Sequence, residues 1–281
     1  MISFKQLAFK IRHRLLYPVW FIYCTINPDK IGKFVLFDGS SFEYPIKSAI
    51  GCYLFTGVFE PSEVSFVQEN LKPGDIFFDV GANAGIFTVI AAKKIGPNGH
   101  VYAFEPGESE LKLLKHNIAA NNLTNVTVVE SAVSNKSGTA QFAVCYDGAM
   151  NSLAKTDHPG QKIKDWQTIE TISLDEFVEK MNINKVNLIK IDVEGAEQLV
   201  IEGGAATFAS QDQLMILLEA ANLNASSFNY SVWDLLSKLI DMGFNMYYFD
   251  SMGSLSKVAG YDAKLGTKIY NFIASKQQMP A

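Results

Sequence analysis

Residues 75–85, DIFFDVGANAG, constrain the fold more than any other stretch of the chain. Ile76, Phe77, Phe78 and Val80 form the short apolar run expected of a strand whose two faces are both covered in a parallel sheet. Asp79 leads from that run into a turn bracketed by Gly81 and Gly85. Glycine there can take positive φ or admit a ligand to the backbone, while Ala82 and Ala84 keep the wall low. Residues 86–95, IFTVIAAKKI, then read as a helix stopped by Gly96 and Pro97, with its first amides aimed at whatever the turn holds.

The glycine spacing separates two cofactor classes. A dinucleotide fingerprint needs glycine at its first, third and sixth positions, for the tight turn, the pyrophosphate and the helix contact. Here those positions are Gly81, Asn83 and Ile86, which weakens a nicotinamide or flavin dehydrogenase as a reading. The stretch instead resembles the first motif of class I methyltransferases, which bind S-adenosylmethionine, a ligand without phosphate. That resemblance marks Asp79, Gly81, Asn83 and Gly85 as cofactor-binding positions. Glu105 ends a second apolar strand, HVYAFEP, where a carboxylate suits the two hydroxyls of a ribose or, more blandly, the dipole of the following helix. Ser131 and Ala132, after Glu130 at the end of the third strand, fall where such folds hold adenine, although their residue types are undistinguished.

Another buried strand, VNLIKI at 186–191, runs into Asp192-Val193-Glu194-Gly195-Ala196-Glu197. With DVGANAG, AFEP, ISLDEF at 172–177 and LLEA at 217–220, it resembles the FkbM family of methyltransferases over about residues 75–220. The resemblance implies methyl transfer from S-adenosylmethionine, usually to an oxygen of a sugar, polyketide or similar metabolite. A non-catalytic S-adenosylmethionine-binding protein is the alternative outside enzymes, against which intact Asp192 and Glu194 count.

In an extended chain Asp192 and Glu194 point to the same side at the strand's carboxyl edge, where open α/β sheets place their ligands. Methyl transfer to a hydroxyl needs the oxygen in line with the methyl group and its proton taken as the bond forms. Asp192 and Glu194 are therefore the candidate catalytic pair. A Mg²⁺ ion on the same two side chains could acidify the hydroxyl. The bland reading makes Asp192 a helix cap and Glu194 and Glu197 first-turn acids.

Alternation of apolar strands (76–80, 101–105, 126–129, 168–173, 186–191, 214–219, 244–249, 268–274) with helices such as 108–121 and 231–242 predicts a parallel-dominated α/β sheet. The expected fold is Rossmann-like, of the class I methyltransferase type: a mostly parallel seven-stranded sheet with helices on both faces, plus an N-terminal extension with a β-hairpin. The extension covers residues 1–60, with hairpin arms at 33–37 and 41–46 around Asp38-Gly39-Ser40, and the methyltransferase domain covers 61–281, opening with a helix at 61–71. The alternation pauses at 141–166, a polar insertion read as part of an acceptor pocket. There Asn151 and Ser152 could bond sugar hydroxyls and Trp166 could stack on a sugar face.

Composition narrows the partners. A net charge of −5, from 24 basic and 29 acidic side chains, disfavours nucleic acid and leaves a small-molecule or glycan acceptor. Cys24, Cys52 and Cys145 have no CxxC spacing, which points to a reducing, cytoplasmic compartment. Lys5, Lys10, Arg12 and Arg14 precede a 12-residue apolar run, 15–26, too short to span a bilayer. Packing on the fold is the expectation for residues 1–30, with peripheral contact at the inner face of the membrane as the alternative.

Overall fold

The computed structural model describes residues 4–36, 39–251 and 253–280; the side chains of residues 4–8 and of Lys10 are also outside the description, and with them two of the basic groups just named. The first helix, α1 (Phe4–Ile26), is followed by the antiparallel pair β1 (Ile31–Val35) and β2 (Ser41–Pro45), the expected hairpin. Phe37 of the expected first arm and Asp38 of the expected turn lie outside the described residues. Helix α2 (Ala49–Thr56) starts where the Ser48 side chain accepts from the Gly51 amide and stops at Gly57, whose φ of 67° turns the chain out of the helix. Helix α3 (Pro61–Asn70) opens on a proline, which lacks only an amide that the first turn would leave unpaired.

From there strand and helix alternate: β3 (Ile76–Val80), α4 (Ile86–Ile95), β4 (His100–Phe104), α5 (Glu108–Ala120) and β5 (Val126–Val129). Next come β6 (Ala132–Val133), β7 (Gly138–Cys145), β8 (Ile163–Ile172), α6 (Leu174–Lys180), β9 (Leu188–Ile191), α7 (Glu197–Gly203), α8 (Ala205–Ser210) and β10 (Met215–Glu219). The chain finishes with α9 (Asn222–Ala225), α10 (Val232–Asp241), β11 (Asn245–Phe249), β12 (Leu255–Lys257) and β13 (Asn271–Ser275). The large sheet runs β12-β11-β13-β10-β9-β3-β4-β5, with β12 and β13 antiparallel to the rest. It holds the seven expected strands of a class I α/β sheet plus the three-residue edge strand β12.

One expected strand is placed elsewhere. Residues 168–173 belong to β8, which pairs antiparallel with β7 and parallel with β6 in a separate three-stranded sheet. The reason is chemical: in IKDWQTIETI only Ile169 and Thr171 are buried, two positions on one face, whereas LIKI in β9 is buried at every position. The insertion at 141–166 is therefore partly ordered as hairpin arms.

The sheet's alternation also explains its two cores. Phe78, Val80, Ile189, Ile191, Ile216 and Leu218 face one side, covered by α6, α7, α8 and α10. Phe77, Leu188, Leu217 and Ile273 face the other, packed with α3, α4 and the hairpin residues Phe34, Phe42 and Tyr44. Cys24, Phe34, Phe42, Tyr44, Ile46 and Leu54 of the extension thus share a core with the sheet. Asn117 on α5 ties the hairpin down, accepting from the Glu43 amide at 2.7 Å and donating to the Ala84 carbonyl at 2.8 Å. Strand order reverses at β3, between β4 and β9, so the carboxyl ends of these three strands form the crevice where open α/β sheets bind ligands.

Candidate active site

The turn after β3 is locked to its neighbours through backbone. Gly81 and Ala82 both donate to the Phe104 carbonyl, at 3.0 and 2.9 Å, and the Asp192 amide donates to the Val80 carbonyl at 3.0 Å. Gly81 has φ of 83°, and a Cβ on it would stand 1.9 Å from the Asp192 carbonyl oxygen. This glycine is what lets the two motif turns touch. Gly85 serves packing instead: a Cβ there would stand 2.4 Å from Leu114 Cδ1, and the residue starts α4 without lining the cavity.

The cavity at this junction has a volume of about 220 Å³ and is lined by Gly81, Glu105, Ala132, Asn151, Asp192 and Glu194, among others. Glu105 is 5% exposed. Its Oε2 accepts from the Asn83 amide and its Oε1 from the Gly107 amide, each at 2.8 Å. Burial pushes its pKa up to about 8 despite both bonds. Asn83 lines the cavity and is also a tie: its Oδ1 accepts from the Tyr44 hydroxyl at 3.0 Å and its Nδ2 donates to the Gly148 carbonyl at 3.3 Å. Asp79 lies in a recess of about 40 Å³ beside the cavity. Its Oδ2 accepts from Thr88 Oγ1 at 2.5 Å, while Oδ1 is buried with no hydrogen-bond partner among the described residues. Burial raises its pKa also. A buried orphan acceptor of this kind calls for a ligand's donor.

Across the cavity, Asp192 Oδ2 accepts from Lys190 Nζ at 2.8 Å. Burial works to lower the pKa of the Lys190 ammonium, but Asp192, Glu60 and Asp79 outweigh it and the pKa is raised, so the lysine stays charged. Glu194 is held at φ of 52°. Its carbonyl accepts from Ser152 Oγ at 2.8 Å and its Oε2 from Asn224 Nδ2 at 2.6 Å. Burial, then Asp192 and Glu197, drive its pKa well above the ordinary carboxylate value, towards the protonated form. Glu197 takes the bland role: it accepts from the Tyr230 hydroxyl at 2.6 Å and the Gly195 amide at 2.9 Å, and braces the turn. Among the described residues no group of three or more His, Cys, Asp or Glu side chains is arranged to hold a metal ion, so the Mg²⁺ expectation gains no support.

The structure brings together Asp79, Gly81, Asn83, Glu105, Ala132, Asp192 and Glu194 around the cavity and its recess. It does not bring Trp166, which is 44% exposed on β8 and outside the lining. Ser131 is also off the lining, next to Ala132. Asn151 lines the cavity with both polar ends committed, to the Cys145 amide at 2.8 Å and to Glu110 Oε2 at 3.1 Å. Ser152 acts behind Glu194 and does not reach the cavity.

Two further carboxylates on the lining, Glu60 and Glu219, are not among the expected site residues, although Glu219 lies in the LLEA stretch. Among the described residues six other than glycine have positive φ. Four are asparagines, which tolerate that region; the other two are Glu60 and Glu194, both on the cavity. Glu60 precedes α3 but makes no capping bond with its side chain. The available signal was a glutamate directly before a proline-led helix, where Ser, Thr, Asp or Asn is usual.

A family model described as the methyltransferase FkbM domain matches residues 79–246, which is 168 of 281 residues. A hexuronic acid methyltransferase, AglP, of Haloferax volcanii is 30% identical over 161 residues, covering 57% of this chain and 63% of its own. The 31-O-demethyl-FK506 methyltransferase FkbM of Streptomyces tacrolimicus is 28% identical over 182 residues, covering 54% of this chain and 64% of its own. The chain thus spans just under two thirds of both relatives. A solved methyltransferase FkbM from Methylobacillus flagellatus aligns over 79% of this chain and 54% of its own, at 12% identity and a TM-score of 0.46. With the model matching more than half of its residues, the chain belongs to the FkbM methyltransferase domain family.

Proposed function

We propose that the protein is an S-adenosylmethionine-dependent O-methyltransferase acting on a hydroxyl of a sugar, glycan or related metabolite, in the cytoplasm. The observation that carries this reading is the contact of two turns at Gly81. It sets the glycine turn and Glu105 on one wall of a cavity and Asp192 with Glu194 on another. The residues present fit the cofactor. Glu105 suits the ribose hydroxyls, and Asp79, with its orphaned Oδ1, suits the ammonium of the methionine end. When bound, the cofactor supplies an electrophilic methyl group.

The remaining chemistry falls to the chain. Asp192, oriented by Lys190 at 2.8 Å, takes the acceptor hydroxyl's proton as the oxygen is methylated. Glu194, shifted towards its protonated form and steadied by Asn224, donates to a second acceptor oxygen and so orients the substrate. Residues 61–281 form the methyltransferase unit in this proposal, and residues 1–60 an extension whose Tyr44 steadies Asn83. The names of the two curated relatives, one a hexuronic acid enzyme and one a 31-O-demethyl substrate, favour oxygen as the acceptor atom.

Calorimetry with S-adenosylhomocysteine and with NAD tests the cofactor. We expect binding of the former alone, and tighter NAD binding would overturn the proposal in favour of a dehydrogenase. Transfer of labelled methyl from S-adenosylmethionine into extracts of the native organism then identifies the acceptor. A protein that binds the cofactor and labels nothing is the non-catalytic alternative.

A further inference from the structure

We propose that α1 is an interfacial helix that docks on an anionic lipid surface through a bare apolar stripe. The inward side of the helix is occupied by the fold. Trp20 Nε1 donates to the Ile46 carbonyl at 2.9 Å, His13 Nδ1 lies 3.2 Å from Thr56 Oγ1, Tyr23 stacks on Phe55, and Cys24 is buried. On the opposite side Ile11, Leu15, Val19, Ile22 and Ile26 follow one another at helical spacing, 50–73% exposed. At about 100° per residue these five fall within about 80° of the helix circumference, so they form one stripe. Tyr17 and Phe21 are also exposed, farther round the helix, with the Tyr17 ring against those of His13 and Trp20. Of the 17 large hydrophobic side chains exposed among the described residues, seven lie on this one helix, and that concentration separates it from ordinary surface.

Charge decides the occupant. Residues 1–30 hold five basic side chains, Lys5, Lys10, Arg12, Arg14 and Lys30, against Asp29 alone, a net of +4. The other 251 residues hold the remaining 19 basic and 28 acidic side chains, a net of −9. A second copy packed helix to helix would bring two +4 segments together. An anionic bilayer offers hydrocarbon to the stripe and negative charge to the net positive segment that carries it, and its repulsion of the −9 body turns α1 toward it. No described helix is long and apolar enough to cross a membrane, so the geometry is one of lying in the interface. The docked helix also neighbours the cavity. The His13 ring is 5.8 Å from that of Tyr53, a cavity residue, so an acceptor tethered to lipid would be presented close to the site. Only that last consequence rests on the methyl-transfer reading.

Flotation of the full chain with phosphatidylcholine vesicles, with and without added phosphatidylglycerol, tests the docking without any activity measurement. We expect the protein to float with the anionic vesicles, to be released by high salt, and to ignore the neutral ones. The double variant Leu15→Glu, Ile22→Glu changes two exposed positions and so keeps the fold, checked by circular dichroism. It should bind vesicles about a hundredfold less tightly, the scale of two lost aliphatic contacts. Wild-type protein that stays with the unbound fraction, or a variant that floats as well as wild type, would overturn the proposal. So would light scattering that finds a salt-resistant dimer dissociated by the same two changes, since the stripe would then belong to a second copy.

Discussion

Glu105, the cavity carboxylate at the end of β4, is secured by backbone amides, one of them from the turn after β3, whereas the turn after β9 also depends on side chains brought from other segments. Glu105 accepts from the Asn83 and Gly107 amides. The β9 turn depends on Ser152 from the insertion, Asn224 from α9 and Tyr230 beyond it. A wall held by amides costs no side-chain ordering and comes into place as the strands pair. A wall held by side chains moves with the segments that supply them, and one of these, around Ser152, adjoins the cavity residues Asn151 and Leu153. The difference suits the proposed division of labour, an invariant ligand on the first wall and a variable acceptor against the second.

The largest expected effect breaks the second wall alone. Asp192→Asn leaves an oxygen for Lys190 but no base, so turnover should fall about 100-fold or more while S-adenosylhomocysteine affinity is unchanged. Single-turnover methylation of an identified acceptor, beside calorimetry, reads both quantities. Turnover close to wild type would reduce Asp192 to a turn residue and move the search for the base to Glu60 or Glu219.

A smaller effect should come from the first wall. Glu105→Ala is expected to weaken S-adenosylhomocysteine by about 1–3 kcal/mol, the range of charge-assisted hydrogen bonds, and to leave turnover at saturating cofactor little changed. Unaltered affinity would mean that Glu105 only ties the Asn83 and Gly107 amides together.

The same contrast explains what was legible in the sequence. The first wall is local: Asp79, Gly81 and Glu105 sit at the ends of consecutive strands, and period-two and glycine signals place them. Asp192 and Glu194 are legible for the same reason, as the end of a strand buried on both faces. The side chains that position them are not, because Asn224 and Tyr230 lie 30 and 33 residues away from their partners and nothing in local pattern marks such contacts. Trp166 shows the opposite error. An aromatic residue in a polar insertion looks like a sugar platform until β8 pairs with β7 and turns it out of the cavity. The placement of residues 168–173 in the main sheet failed because a strand exposed on one face was taken with strands buried on both. Glu60 stayed hidden because its role depends on backbone conformation, which a glutamate before a proline only hints at.

The smallest effect is the sharpest test of the two ways of holding a carboxylate. Glu60 and Glu105 both have pKa values pushed up to about 8, in each case chiefly by burial, yet Glu105 has two amide donors and the Glu60 carboxylate accepts from no described residue. Below the ordinary value of 4.5 both residues are protonated in folded and unfolded chains alike and their ionisation is neutral to stability. Between 4.5 and about 8 the unfolded chain ionises while the folded one keeps its proton, so stability falls as pH rises across that window and levels off above it. Glu60→Gln removes the titration without losing a bond. Its Tm should match wild type near pH 4.5 and exceed it near pH 8.5. Glu105→Gln removes the same titration but turns its amide NH₂ towards one of two amide donors, so it should be less stable than wild type at both pH values. Thermal unfolding of the two variants at both pH values checks this. Parallel behaviour would mean that the amides around Glu105 contribute nothing beyond burial, and the distinction between the walls would fail.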